Sequence, residues 1–139
     1  MAADHGTRLG RGERAALVVA ALGGTLLAII GVRFLIVPEQ AAHSFGLPRG
    51  AEGHALHHIV AIRDVWLGLL AVGLVWLRQW PALALWFGLA TLVCFADASL
   101  VAANAGKWPY VAFHAGSGII CAVLTVIFGR RAVAAASET

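Results

Sequence analysis

Four long apolar stretches run through this chain, and nearly every ionisable residue inside them lies toward the same end. A stretch of about 20 mostly apolar residues is what a bilayer crossing requires. The chain has 139 residues, 60% hydrophobic and 12% charged. Its mean hydropathy is +0.84. Soluble domains carry about a quarter charged residues, and a soluble core this small would not hide so much apolar surface. Four crossings and their connections use the whole length, leaving no room for a separate soluble domain. The expected fold is therefore all-α: one integral-membrane four-helix bundle over residues 1–139.

The first span is expected over residues 15–37, with Gly12, Glu13 and Arg14 before it and Pro38 as its stop. A basic start followed by an apolar run also describes a signal peptide. This run is too long for one, and no clear small-residue cleavage site follows. Ala20, Gly24, Ala28 and Gly31 form a small-residue stripe suited to close helix packing in lipid. The second span is expected over 59–77, with Trp76, Arg78 and Trp80 at its far interface. The third is expected over 82–103, closed by Asn104 and a breaker cluster reaching Pro109. The fourth is expected over 110–128, ended by Gly129, Arg130 and Arg131, with a short frayed tail beyond. No internal repeat or transporter-style inverted symmetry is evident.

The formal charge of +3 does not point to nucleic acid. Arg8, Arg11 and Arg14 precede the first span and Arg130 and Arg131 follow the last, where cations orient membrane proteins. With Arg78 they make one side basic, against Arg49 and Lys107 on the other. Both termini are thus expected in the cytoplasm, with the helices running up, down, up and down. The location expected is the cell (inner) membrane, multi-pass. The short connections around Gln79 and after Asn104 imply that helices two, three and four are sequential antiparallel neighbours. Residues 38–58 form the single long connection. Within it a short interfacial helix from Glu39 to Phe45 is expected, with Pro38 at its first position. Such a connection serves as a lid, a binding loop or a spacer.

The two cysteines, Cys94 and Cys121, lie inside apolar spans with no CxxC spacing. They read as small buried apolar residues. A bridge between neighbouring helices cannot be argued from spacing alone.

Depth along each helix, at about 1.5 Å per residue, organises the polar residues. Arg33, Arg63 and His114 stand about 6 Å inside one end of their spans, Asp64 about 8 Å and Asp97 about 9 Å. All four helices thus bring an ionisable group to one layer, in the outer third of the bilayer. The opposite halves offer little beyond Thr25, Thr91, Thr125 and the cysteines. Phase agrees: Asp97 and Asn104 share a helix face, as do Tyr110, His114 and Ser117, and as do His57 and Asp64. A hydrogen bond or one-water contact is expected between Asp97 and His114.

A charge at a helix centre costs about 2.5–3.5 kcal/mol on insertion scales. The off-centre positions here cost less, yet Leu or Val there would be favourable. Arg33 and Arg63 balance Asp64 and Asp97, as burial requires. Such residues are functional by default. The competing reading is a polar clasp that only sets helix register, with Arg63 snorkelling outward. His54 and His58 have a spacing that holds metals, but no third ligand is evident. No metal and no cofactor is therefore assigned.

Gly31 to Pro38 (Gly-Val-Arg-Phe-Leu-Ile-Val-Pro), Phe45-Gly46-Leu47-Pro48, Arg63-Asp64-Val65-Trp66-Leu67-Gly68, Ala96-Asp97 and His114 together resemble a family of small four-helix membrane proteins of bacteria and fungi, catalogued as a domain of unknown function. The resemblance covers nearly the whole chain. It implies a four-helix membrane fold and no established activity.

Three functions fit these residues. The first is a membrane-embedded enzyme using acid–base chemistry on a lipophilic small molecule: isomerisation, cyclisation or epoxide opening. Asp97, His114 and Asp64 would be catalytic, and Arg33, Arg63, His57, Asn104 and Tyr110 would bind substrate. The second is a proton-linked carrier or binding protein for small hydrophobic solutes, which at this size would work as a homo-oligomer. The third is a quinone- or haem-binding membrane subunit, with His57 or His58 facing His114. No nucleophile elbow, phosphate loop or dinucleotide fingerprint is present.

Overall fold

The first helix starts earlier than its apolar run. The backbone N–H of Gly10 donates to Glu13 Oε2 at 2.8 Å, satisfying a donor that a helix start otherwise leaves open. As a result α1 spans Arg11–Ile36, not 15–37. Pro38 then acts as stop and start at once. Val37, before it, leaves helical geometry at φ −135° and ψ 64°, as a residue preceding proline tends to do. Pro38 opens α2 (Pro38–Phe45), because the first turn of a helix does not need its missing N–H. The short helix expected inside the long connection is therefore present.

The structure is a computed structural model, and it describes residues 9–45, 54–104 and 107–137. Beyond α1 and α2 it contains α3 (His54–Trp76), α4 (Trp80–Asn104) and α5 (Trp108–Ala136). No strand occurs among the described residues. All but α2 are long and apolar enough to cross a membrane. The expectations resting on Arg8, on Arg49 and the rest of residues 46–53, on residues 105–106 and on the His54 side chain lie outside what is described.

The last helix runs beyond the expected end of its span. Gly129, Arg130 and Arg131 do not stop α5, which continues to Ala136. An interior glycine costs a helix only about 1 kcal/mol, and the Ala-rich segment after it favours helix. Arg131 Nε also lies 3.4 Å from Glu13 Oε1, tying the end of α5 to the start of α1. The tight turn between α3 and α4 works differently. Arg78 sits in the left-handed region at φ 51°, and the N–H of Gln79 reaches back to Leu74 O at 3.0 Å. A glycine is usual at such a helix end.

Packing also departs from expectation. α1 packs along α3, and α4 along α5, while α3 touches α4 much less. A short turn fixes where two helix ends meet; it does not make them pack along their lengths. The face of α3 is already taken by α1. A Cβ on Gly24 would stand 2.9 Å from Gly68 O, and one on Gly31 would stand 2.7 Å from Ala61 O. A Cβ on Gly68 would collide with Gly24 O and Ala28 N. Rising numbers on α1 meet falling numbers on α3, so the two run antiparallel at backbone contact. In lipid, where apolar burial gives no preference between a helix and the acyl chains, such close van der Waals packing drives association.

The bundle has two unlike ends. At one, Ala16, Ala20, Leu83, Phe87, Leu124 and Phe128 form a buried apolar core from α1, α4 and α5, with Leu74 and Val75 of α3 against it. At the other, Phe34, Ala41, Ala42 and Ala61 form a smaller core under α2.

Gly68→Ala should destabilise the protein by about 1–3 kcal/mol through overpacking against backbone. Gly73→Ala, with nothing within 4 Å of its new Cβ, should not. Thermal unfolding in one detergent compares the two, and equal melting temperatures would contradict the seam.

Candidate functional site

The α4–α5 interface sets the height of the polar groups. Gly88 lies opposite Thr125, and Cys94 and Phe95 lie opposite Gly118. Continuing this antiparallel register one turn brings Asp97 level with His114. Asp97 feels the charges of His114 and Arg63, and Asp64 feels those of Arg63 and Asp97. Three helices therefore deliver four ionisable side chains into electrostatic range of one another. Asp64 and Asp97 are half-buried and Arg63 is exposed.

His114 is the buried member, at 7% exposure. Its Nε2 lies 3.3 Å from Phe45 O. A carbonyl only accepts, so this contact needs a proton on Nε2. Phe45 is the last residue of α2, where a helix leaves its carbonyls without internal partners. The imidazole thus caps α2 and holds it over the end of the bundle. The expected direct bond from His114 to Asp97 is not formed: the two act on each other through space, and no bond joins them among the described residues.

A row of rings extends this cap. Phe45 lies 4.4 Å from His114, Phe34 lies 6.2 Å from Phe45, and His57 lies 5.9 Å from Phe34, between ring centroids. His57 Nδ1 is buried without a hydrogen-bond partner. The two imidazoles are on one layer but stand apart, with two phenyl rings between them.

The other sequence candidates make local contacts of their own. Arg33 is exposed, and its Nη2 donates to Ser44 Oγ at 3.2 Å, so it braces the α1–α2 joint. Asn104 is exposed and donates to Leu100 O of its own helix at 2.9 Å. Tyr110 is half-buried with the Lys107 ammonium 5.9 Å from its ring centre. The hydroxyls of Thr91, Ser99, Ser117 and Thr125 all turn back on carbonyls one turn earlier. No cluster of three or more His, Cys, Asp or Glu suited to a metal occurs among the described residues.

Sequence reasoning missed the role of Phe45. Its ring and its carbonyl both contact His114, and neither has a residue-type signature. The available signal was positional: a proline-started helix of eight residues ending on an aromatic.

The profile of the domain of unknown function DUF4267 matches residues 24–128, which is more than half of the chain, and the chain belongs to that family. No characterised protein and no solved structure matches it.

If α2 covers His114, Phe45→Ala should expose the imidazole. Carbethoxylation of His114 by diethyl pyrocarbonate, followed by peptide mass spectrometry, should then speed up at least several-fold. An unchanged rate would show that Phe45 is no cover.

Proposed function

We propose that this DUF4267 member is a membrane-embedded acid–base enzyme acting on a lipophilic small molecule. The supporting observation is the convergence of Asp64, Arg63, Asp97 and His114 at one end of a bundle whose other end is purely apolar core. Such groups are costly in lipid and do nothing for packing that Leu or Val would not do better. Asp97 is the base and His114 the acid, or the reverse for the return proton. Asp64, beside Arg63, is the second carboxylate, and the guanidinium steadies developing negative charge on the substrate. In an isomerisation the base removes a proton from one carbon and the acid returns one to another. In an epoxide opening the acid protonates the ring oxygen as the carbon–oxygen bond breaks, and a water that gives its proton to the base forms the new bond to that carbon. Arg33, His57, Asn104 and Tyr110 surround this centre as substrate-contacting residues.

In this reading the protein sits in the cell membrane with both termini cytoplasmic. The basic end carries Arg11, Arg14, Arg78, Arg130 and Arg131, and cytoplasmic flanks are enriched in such residues. The polar layer then lies near the outer surface. The carrier reading is less well supported, because Phe87, Phe128, Leu83 and Leu124 close the bundle at its basic end. Haem between His57 and His114 would require Phe34 and Phe45 to leave the space between them.

The test uses purified protein in nanodiscs with a panel of lipophilic epoxides and enolisable ketones, products being read by mass spectrometry. The wild type should convert one class, and Asp97→Asn or His114→Ala should lower kcat by about 10²–10⁴-fold at unchanged melting temperature. Full turnover in Asp97→Asn would overturn the assignment. Unfolding of both variants in detergent would favour the polar clasp.

A further inference from the structure

One turn below the Asp97–His114 level, α4 and α5 bring their cysteines together. Cys94 precedes Asp97 by three residues, and Cys121 follows His114 by seven. Each thiol therefore shares a helix face with the acid–base residue above it. Gly118 makes the approach possible. A Cβ there would stand 3.3 Å from Cys94 Cβ and 3.1 Å from the Phe95 ring, so the missing side chain leaves room for both against α5. With Gly118 empty, the Cys94 thiol meets that of Cys121 side chain to side chain. Both residues are half-buried and unbridged. Spacing alone favoured two small apolar residues and left a bridge between neighbouring helices open; the register makes them a facing pair.

We propose that Cys94 and Cys121 form a dithiol–disulfide couple that reduces a lipid-soluble two-electron acceptor of the quinone class. The depth selects the acceptor. Cys94 lies ten residues, about 15 Å, from the Asn104 end of α4 and about 21 Å from its Trp80 end. Water-soluble thiols and disulfides do not reach that depth in a bilayer, whereas quinones dissolve there. Both S–H bonds break and one bond forms between the two Sγ atoms. Two electrons and two protons pass to the quinone, whose carbonyl oxygens become hydroxyls. A thiolate is the reactive form of cysteine. Asp97 is the base at hand for its proton, close enough for its charge to act on Cys94. The two thiols already meet side chain to side chain, so bond formation starts from contact. The couple does not depend on the acid–base reading and stands if that reading fails.

The experiment takes the full-length protein, reduced and in nanodiscs, and adds decylubiquinone. Quinone absorbance should fall by one equivalent, and the intact mass by two hydrogens. Maleimide labelling after denaturation in SDS should drop from two adducts to none. Cys94→Ser and Cys121→Ser should each keep one adduct and consume no quinone. Gly118→Leu, which drives the helices apart, should slow oxidation at least tenfold while both thiols remain. Two adducts after quinone treatment would overturn the proposal. Oxidation by copper–phenanthroline but not by quinone would overturn the choice of acceptor. Disulfide-linked dimers in place of the internal bond would overturn the pairing.

Discussion

Backbone contact between α1 and α3 is the constraint from which the rest of the arrangement follows. Gly24 and Gly68 touch through main-chain atoms, and Gly31 lies against Ala61 and Val65. Inside lipid no hydrophobic gain separates helix–helix from helix–lipid contact, so shape must supply the attraction. Once these faces are joined, α3 has no comparable surface left for α4. The bundle becomes two antiparallel pairs rather than four equal neighbours. Arg63 and Asp64, one turn beyond Ala61, are then carried to the boundary between the pairs.

That boundary is closed differently at its two ends. Around Phe87 and Phe128, aromatic rings 5.8 Å apart fill it, and all four long helices contribute apolar side chains. At the polar end closure falls to α2, an eight-residue helix held by three contacts of different kinds. These are the Arg33–Ser44 hydrogen bond, the Phe34–Phe45 edge contact and the His114 contact with the Phe45 carbonyl. Buried Ala41 and Ala42 also pack against Phe34 and Ala61, so apolar, polar and ring contacts together seat this helix. Of the ionisable groups on α3, α4 and α5 at this end, His114 touches α2, Asp64 and Asp97 are half-buried and Arg63 is exposed.

Much of this was legible in the residues. Hydropathy and length placed four long apolar helices, because lipid accepts only backbones that satisfy their own hydrogen bonds. Pro38 placed α2 through its fixed geometry. The common height of Asp64, Asp97 and His114 came from counting residues along helices. Three readings went astray for identifiable reasons. Gly129 and two arginines looked like a stop, but no proline enforced it and Glu13 rewarded continuation. Short turns looked like a guide to packing, which held for α4 and α5 but not for α3 and α4, because a turn fixes only where helix ends meet. His114 stands level with Asp97 but turns its Nε2 to the Phe45 carbonyl rather than directly to the carboxylate, and no residue code announces a backbone acceptor.

The amino-acid order by itself determined the class of molecule, the number of crossings and the layer at which ionisable groups sit, because each depends on distance along the chain. Partnership between helices was decided only in three dimensions, where rotation of each helix about its own axis selects which face meets which. That rotation turned Gly24 toward Gly68, laid α2 across His114 and set Cys94 against Cys121. Residue spacing holds the relative angle of two positions on one helix, but carries no information about the angle between two helices.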